Sequence, residues 1–282
     1  MKVININGNI LDSENAKISV FDRGFLFGDS VYEVTEAISN RPIFMDEHLE
    51  RLWQSANKIH MPIAFTKSKI MAEVKKTLEV LNVKRAYIRI IITRGEGEIT
   101  LDPQAASQNN LVIITKELSE NPKWWYKDGV EIIIADTKRT SVDSMDPSVK
   151  SGNYLNNILA YNEAVKEGAF DAVMLNHDGH VTEGTTSNIW IVKDQILVTP
   201  PLKAGLLGGI TRAKIIELCK SENIQIEQRN ITAQELQDAD ESFLTSQTRR
   251  IVPVVKVNKT PLGSGKPGKL TLDILNKYNK LI

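Results

Sequence analysis

Apolar residues recur along this chain in short stretches with two different periods. Leu49, Leu52, Trp53, Ala56 and Ile59 keep the 3.6-residue spacing of a helix buried on one face, with Asp46 placed to cap it. A second helix is expected from Thr66, burying Ile70, Val74 and Leu78. Further helices are expected over Tyr154–Val165, Thr211–Cys219 and Lys269–Tyr278, the last with Leu270, Ile274 and Leu275 inward. Between them lie short β-like runs: Val3–Ile6, Val31–Ile38, Arg85–Ile92, Leu111–Thr115, Val130–Ala135, Asp171–Leu175, Asn188–Val192, Ile224–Glu227, Glu241–Leu244 and Val252–Val257. Asn7-Gly8 is a hairpin signal, and Val31–Ile38 with Arg41–Phe44 reads as a second hairpin turning at Asn40. Strands outnumber helices, and no repeat or low-complexity tract interrupts them.

The polar, proline-broken stretch Ser119-Glu120-Asn121-Pro122-Lys123 divides this pattern. The reading is an α/β (α+β) chain of two domains: a small one over 1–118, a linker over 119–127 and a large one over 128–282. A length of 282 residues allows two cores of about 120 to 150 residues each. Lys plus Arg and Asp plus Glu are both 35, so the neutral chain lacks the basic stripe of a nucleic-acid binder. No apolar run is long enough to span a membrane. Lys2 leads directly into Val3–Ile6 without an apolar leader core, so a cytoplasmic enzyme is expected. The single cysteine, Cys219, excludes a disulfide framework and a cysteine-only metal site, and it reads as a buried or half-buried helix thiol. No metal site is expected.

Three features could carry chemistry. Lys150 stands just before a helix in Lys150-Ser151-Gly152-Asn153-Tyr154, where small residues let backbone or a cofactor come close. A lone lysine is ordinarily a solvated charge. Gly208-Gly209-Ile210-Thr211 opens a helix whose unpaired N–H groups and dipole form an anion cup, although a plain cap after a flexible turn reads the same. Thr182-Glu183-Gly184-Thr185-Thr186-Ser187-Asn188 is a dense polar segment before an apolar strand, and alone it could be an ordinary turn.

Taken together and in order, the motifs are specific. They are Asp22-Arg23-Gly24-Phe25-Leu26-Phe27-Gly28-Asp29, Val31-Tyr32-Glu33, His48-Leu49-Glu50-Arg51-Leu52, the Lys150 segment, Val181 through Asn188, Gly209-Ile210-Thr211-Arg212 and Leu244-Thr245-Ser246-Gln247-Thr248. This series resembles the fold-type IV pyridoxal-phosphate enzymes, or class IV aminotransferases, over nearly the whole chain. The resemblance implies a two-domain, D-amino acid aminotransferase-like fold with pyridoxal 5'-phosphate as cofactor. Lys150 would hold it as a Schiff base and then shuttle a proton, while Glu183 would pair with the pyridine nitrogen. Arg51, Ile210, Thr211 and Thr248 would bind the phosphate, and Tyr32 would stand on the substrate side, unless it is a plain core tyrosine. Arg23 lies in a loop that in the family often reaches the neighbouring subunit's pocket. The implied assembly is a homodimer, each active site lying between the two domains of one subunit and finished by the other. The partners are small-molecule amino acids and 2-oxo acids.

The substrate is less legible. The Lys150–Asn153 spacing and Asp22-Arg23-Gly24 resemble the D-amino acid aminotransferase and lyase branch. The loop after Thr93-Arg94-Gly95 nevertheless lacks the arginine and histidine of the best-known D-specific enzymes, and the arginine expected for aminodeoxychorismate. Tyr87 and Arg89 share a strand face and resemble a pair seen in branched-chain aminotransferases. Arg249 and Arg250 replace the small or acidic residues usual after Thr248, and either clamp a substrate carboxylate or pair outward with acidic residues. The sequence reading therefore favours a D-amino acid aminotransferase of non-standard type, acting with 2-oxoglutarate or pyruvate. Branched-chain aminotransferase is the alternative, and aminodeoxychorismate lyase the third.

Overall fold

The computed structural model describes residues 1–106 and 108–282. Its contacts divide into two units, one of Met1–Glu120 with Val149–Asn153 and one of Asn121–Ser148 with Tyr154–Ile282.

The first unit is an antiparallel sheet with helices on one face. Strands β1 (Lys2–Ile6), β2 (Asn9–Leu11), β3 (Ser30–Ile38), β4 (Arg41–Pro42), β5 (Arg85–Thr93) and β6 (Asn110–Glu117) stand in the order β2-β1-β6-β5-β3-β4. Asn7 and Gly8, both at positive φ, turn β1 into β2. Ser39 and Asn40 do the same between β3 and β4, the left-handed pair that matches strand twist. Alternation along β5 buries Ala86, Ile88, Ile90 and Ile92, while Tyr87, Arg89 and Ile91 share the other, half-buried face. The buried row packs on Leu49, Leu52 and Ala56 of α2 (Met45–Lys58) and Ile70, Val74 and Leu78 of α3 (Lys67–Leu81). Helix α1 (Arg23–Phe27) precedes them in the chain.

Thr66 caps α3 by accepting from Lys69 N. Asp46, in contrast, does not cap α2. That helix starts one residue earlier, after Phe44 in a left-handed conformation, and this turn draws Met45 into the core. Asp46 and Glu47 instead occupy the first turn, where their charges oppose the helix dipole.

The second unit is built on a closed sheet. Its strands are β7 (Val130–Ile134), β8 (Asp171–Leu175), β9 (Val181–Gly184), β10 (Asn188–Lys193), β11 (Ile196–Thr199), β12 (Ile226–Gln228), β13 (Glu241–Ser246), β14 (Arg250–Val257) and β15 (Thr260–Pro261). The path β10-β13-β14-β7-β8-β9 returns to β10 through the pairing of Glu183 with Asn188, so a barrel closes at Glu183. Its core holds Ile132, Val173, Val181, Ile189, Ile191, Leu244, Val252 and Val254. Trp190 and Phe243 stack nearby at 5.6 Å. Around the sheet lie α4 (Lys123–Lys127), α5 (Leu155–Glu167), α6 (Ile210–Ser221), α7 (Ala233–Gln237) and α8 (Lys269–Tyr278).

Two differences from the expected boundaries have local causes. Half of the expected linker is the helix α4, which packs into the second unit: Trp125 meets Phe170 edge-on at 5.0 Å, and Tyr126 donates to Arg249 O. Val149–Asn153 packs with the first unit because it pairs with the edge of β3 through Val31 and Ser151. Among the described residues, no helix is long and apolar enough to cross a membrane.

Cys219 is buried in α6, and desolvation pushes its thiol up to about 11. The folded state thus favours the neutral thiol, and the resulting stabilisation is lost as pH climbs toward that value. At pH 8 the native protein should react with a disulfide reagent at least ~100-fold more slowly than the denaturant-unfolded chain. Equal rates in the two states would show that the helix exposes the thiol.

Candidate active site

In the first unit, the segment carrying Lys150 lies along the open end of β3. Tyr32 N donates to Lys150 O at 2.9 Å, and Gly152 N donates to Ser30 O at 2.9 Å. From the helix side, Ser55 Oγ accepts from Lys150 N at 3.1 Å. Backbone is therefore fixed on both sides of the lysine. Its Nζ lies 3.5 Å from Tyr32 Oη and 4.5 Å from the centre of that ring. Arg89 stacks on the same ring at 3.9 Å. The structure thus brings Lys150, Tyr32 and Arg89 together, with Tyr87 on the same sheet face and Lys116 over its ring at 5.3 Å.

Strand period 2 puts Glu33 on the opposite face of β3, under α2. His48 and Arg51 sit one turn apart on α2 and both reach it. Arg51 donates from Nε and Nη2 to the two carboxylate oxygens at 2.6 and 2.7 Å, and His48 Nδ1 lies 2.7 Å away. Burial alone would push this carboxyl up, but Arg51 and His48 outweigh it and hold Glu33 well below the usual carboxylate range. Arg51 is consequently a pre-oriented guanidinium rather than a roving one.

Arg23 stands apart from this group. It opens the short helix α1 instead of lying in a loop, and only 3% of it is exposed. Its guanidinium is engaged by Asp29 Oδ2 at 3.1 Å, Thr100 O at 2.6 Å and Leu101 O at 3.4 Å. A donor set occupied in this way anchors the chain around Thr100 and does not extend toward a substrate.

In the second unit, Glu183 is buried at the barrel closure. Arg139 Nε donates to it at 2.9 Å, Leu207 N at 3.1 Å and Asn188 Nδ2 at 3.5 Å. Near it, α6 begins at Gly209 with no side-chain cap, so the N–H groups of Ile210 and Thr211 are left as donors of the first turn. Thr211 Oγ1 lies 3.4 Å from Gln247 Oε1, and the buried Gln247 Nε2 has no partner among the described residues. Thr248 follows Gln247, its carbonyl accepting from Asn121 Nδ2 at 2.9 Å.

The two consecutive arginines part company. Arg250 has φ 61° and turns to Asn279 Oδ1 at 3.0 Å, beside the end of α8. Arg249 instead lines a cavity with Tyr154, Asn157, Ile158, Tyr161, Thr185 and Thr186. They do not form a joint clamp, because a left-handed residue between strand and turn sends the neighbouring side chains in different directions. Sequence reasoning did not single out Glu33, His48, Arg139 and Gln247, which the structure places against Arg51, Glu183 and Thr211. Glu33 and His48 lay in motifs already noted, but which elements face each other is set by the fold.

The second unit thus carries a buried carboxylate and an uncapped helix end on its closed barrel, and the first carries a lysine docked on a sheet edge. The family model described as Amino-transferase class IV matches residues 30–257, and the chain belongs to that family. A Methanocaldococcus jannaschii protein, provisionally assigned as a branched-chain-amino-acid aminotransferase, is 37% identical over 99% of this chain and 96% of its own. The D-alanine aminotransferase of Bacillus licheniformis is 31% identical over 97% of this chain and 94% of its own. Among solved structures, Escherichia coli branched-chain amino acid aminotransferase superposes with a TM-score of 0.94 at 27% identity, covering 99% of this chain and 94% of that one. The fold is the two-domain fold-type IV architecture, and the activity class is pyridoxal-phosphate-dependent transamination.

Replacing Glu33 with Gln should cost about 3 kcal/mol at pH 7, because it leaves Arg51 without its buried counter-charge. A depressed carboxyl stabilises the fold above its ordinary value of 4.5, and that stabilisation is lost as pH falls through the depressed value. Denaturant unfolding of parent and variant should therefore differ most at pH 7 and converge in strong acid. Identical midpoints at pH 7 would contradict the clamp.

Proposed function

We propose that the chain moves an amino group between branched-chain L-amino acids and a 2-oxo acid, with 2-oxoglutarate the leading acceptor, using pyridoxal phosphate held by Lys150. The observation that carries this is the grouping of Lys150, Tyr32 and Arg89, with Tyr87 on the same sheet face.

The residues present fit the cofactor chemically. A primary amine at Lys150 suits an aldehyde, and the buried carboxylate of Glu183 suits a protonated ring nitrogen. The uncapped start of α6 and the unpartnered Gln247 amide suit a phosphate. Arg51, Ile210, Thr211 and Thr248 would hold that phosphate. Structures of related enzymes include a branched-chain amino acid aminotransferase with pyridoxamine 5'-phosphate, 27% identical to this chain. When bound, pyridoxal phosphate supplies an electron-accepting ring that stabilises negative charge at the substrate's α-carbon.

The chain's own groups supply the rest. Lys150 Nζ, as a neutral amine, would take the proton from the substrate's α-carbon. Tyr32 Oη, within 3.5 Å, orients that amine. Arg139, Asn188 and Leu207 N fix Glu183 so that its carboxylate can keep a proton on the ring nitrogen. The working form is proposed to be a homodimer, which light scattering should report as twice the chain mass.

The branched-chain reading rests on two further points. The relative at 37% identity is assigned to that activity. In addition, Arg94 is engaged by Asp29, His60 O and Ile59 O, and Arg23 by its own anchors, so neither supplies a replacement carboxylate clamp. A D-amino acid aminotransferase of non-standard type is the second reading, favoured by Arg249 in its cavity and by the D-alanine aminotransferases among the relatives.

One panel separates them. Cofactor-loaded protein is mixed in single turnovers with paired L- and D-amino acids and followed by absorbance. L-leucine, L-isoleucine or L-valine should react faster than any D-amino acid. D-alanine or D-glutamate leading the panel would replace this reading with the second. Pyruvate release from aminodeoxychorismate, with no amino acid reacting, would identify a lyase instead.

A further inference from the structure

The cavity beside Arg249 has the composition of a carboxylate receptor. It encloses about 240 Å³ and is lined by Tyr154, Asn157, Ile158, Tyr161, Thr185, Thr186 and Arg249. That is below the ~300 Å³ at which sites for drug-sized ligands begin, so it suits an acid of amino-acid size. Of these lining residues only Arg249 carries a full charge. The tyrosines and Ile158, from α5 and its cap, give the wall an aromatic and apolar character.

Arg249 is held in place by two hydroxyls, a ring and one buried carboxylate. Ser246 Oγ accepts from its Nε at 3.2 Å, Thr186 Oγ1 accepts from its Nη2, and its guanidinium stacks on Phe170 at 5.3 Å. The nearest carboxylate is Asp171, 3.5 Å from Nη2. Asp171 is fully buried and has other donors: Ala172 N at 2.9 Å, Thr185 N at 3.2 Å, Thr185 Oγ1 at 2.6 Å and Ser187 Oγ at 3.0 Å. Its oxygens are thus satisfied by neutral groups, and the arginine contact is the longest of the set. A guanidinium fixed by two hydroxyls, a ring and one buried carboxylate is a pre-oriented donor in the cavity wall, where it can receive a second, planar anion.

We infer that Arg249 binds a carboxylate of the substrate, and that the α5 tyrosines and Ile158 receive the apolar stem attached to it. This deepens the aminotransferase reading and rests on it. The carboxylate is either the one next to the reacting carbon or the second one of a dicarboxylic partner, and the two differ in which substrates feel the loss.

The test uses cofactor-loaded parent, Arg249→Gln and Arg249→Lys. KM and kcat are measured with 2-oxoglutarate and with 4-methyl-2-oxopentanoate, and binding of the unreactive acids glutarate and 4-methylvalerate is titrated by fluorescence. Arg249→Gln should raise KM by about 10- to 100-fold with kcat little changed, as loss of a charge-assisted contact requires. Arg249→Lys, which keeps charge but not the fork, should recover part of that loss. A rise confined to 2-oxoglutarate and glutarate assigns Arg249 to the second carboxylate, and a rise for all four acids assigns it to the common one. Unchanged KM and unchanged binding in Arg249→Gln overturn the inference. If the parent transfers no amino group at all, the aminotransferase reading fails separately, and the glutarate titration alone still decides whether Arg249 holds a carboxylate.

Discussion

Lys150 has its position because five residues of the chain join a sheet edge. The order β2-β1-β6-β5-β3-β4 leaves the Ser30–Tyr32 end of β3 beyond the reach of the short β4, which pairs only at Ala37 and Ile38. Tyr32 N, Ser30 O and the bridge from Val31 to Ser151 capture the lysine segment there. The approach is close enough to demand glycine. A β-carbon on Gly152 would lie 2.4 Å from Ser30 Oγ and 3.1 Å from Gly28 O. With the backbone so fixed, the side chain runs past Tyr32, and its nitrogen has a defined neighbour instead of a freely rotating tip. Pre-organisation of this kind suits the roles proposed for Lys150, attaching a cofactor and moving a proton.

The same logic governs the buried charges. Glu33, Asp171 and Glu183 are carboxylates in largely apolar surroundings, and each is stabilised in a different way. Glu33 faces a guanidinium and an imidazole on one helix, which fixes Arg51. Asp171 takes backbone and hydroxyl donors and, at 3.5 Å, the guanidinium of Arg249, which it helps to orient. Glu183 sits where the barrel closes and takes Arg139, a backbone N–H and an amide, which hold it in one orientation. A buried charge without such partners would cost several kcal/mol, so these groups constrain the fold around them as much as the fold constrains them.

Much of this was legible in the sequence where period and polarity agreed. The helices over Lys67–Leu81 and Leu155–Glu167 and most long strands follow from alternation or 3.6-residue spacing. The strand Val181–Gly184 was not anticipated, because Thr182 and Glu183 look like solvent-facing turn residues and are in fact buried through Met174 O and Arg139. Motif order placed the family. It could not reveal that Arg23 is engaged by carbonyls seventy-odd positions away, or that Arg249 and Arg250 diverge, since both depend on tertiary hydrogen bonds and on one left-handed residue. The pairing of Arg51 with Glu33, eighteen residues apart, is equally invisible to spacing rules.

The central claim is that Lys150, held on β3, is the residue that carries the cofactor. Protein loaded with pyridoxal phosphate, reduced with borohydride and digested, can be mapped by peptide mass. The account predicts a pyridoxyl group on the peptide containing Lys150 and on no other, and its loss in Lys150→Ala. Stoichiometric labelling of a different lysine, or undiminished labelling of Lys150→Ala, would contradict it.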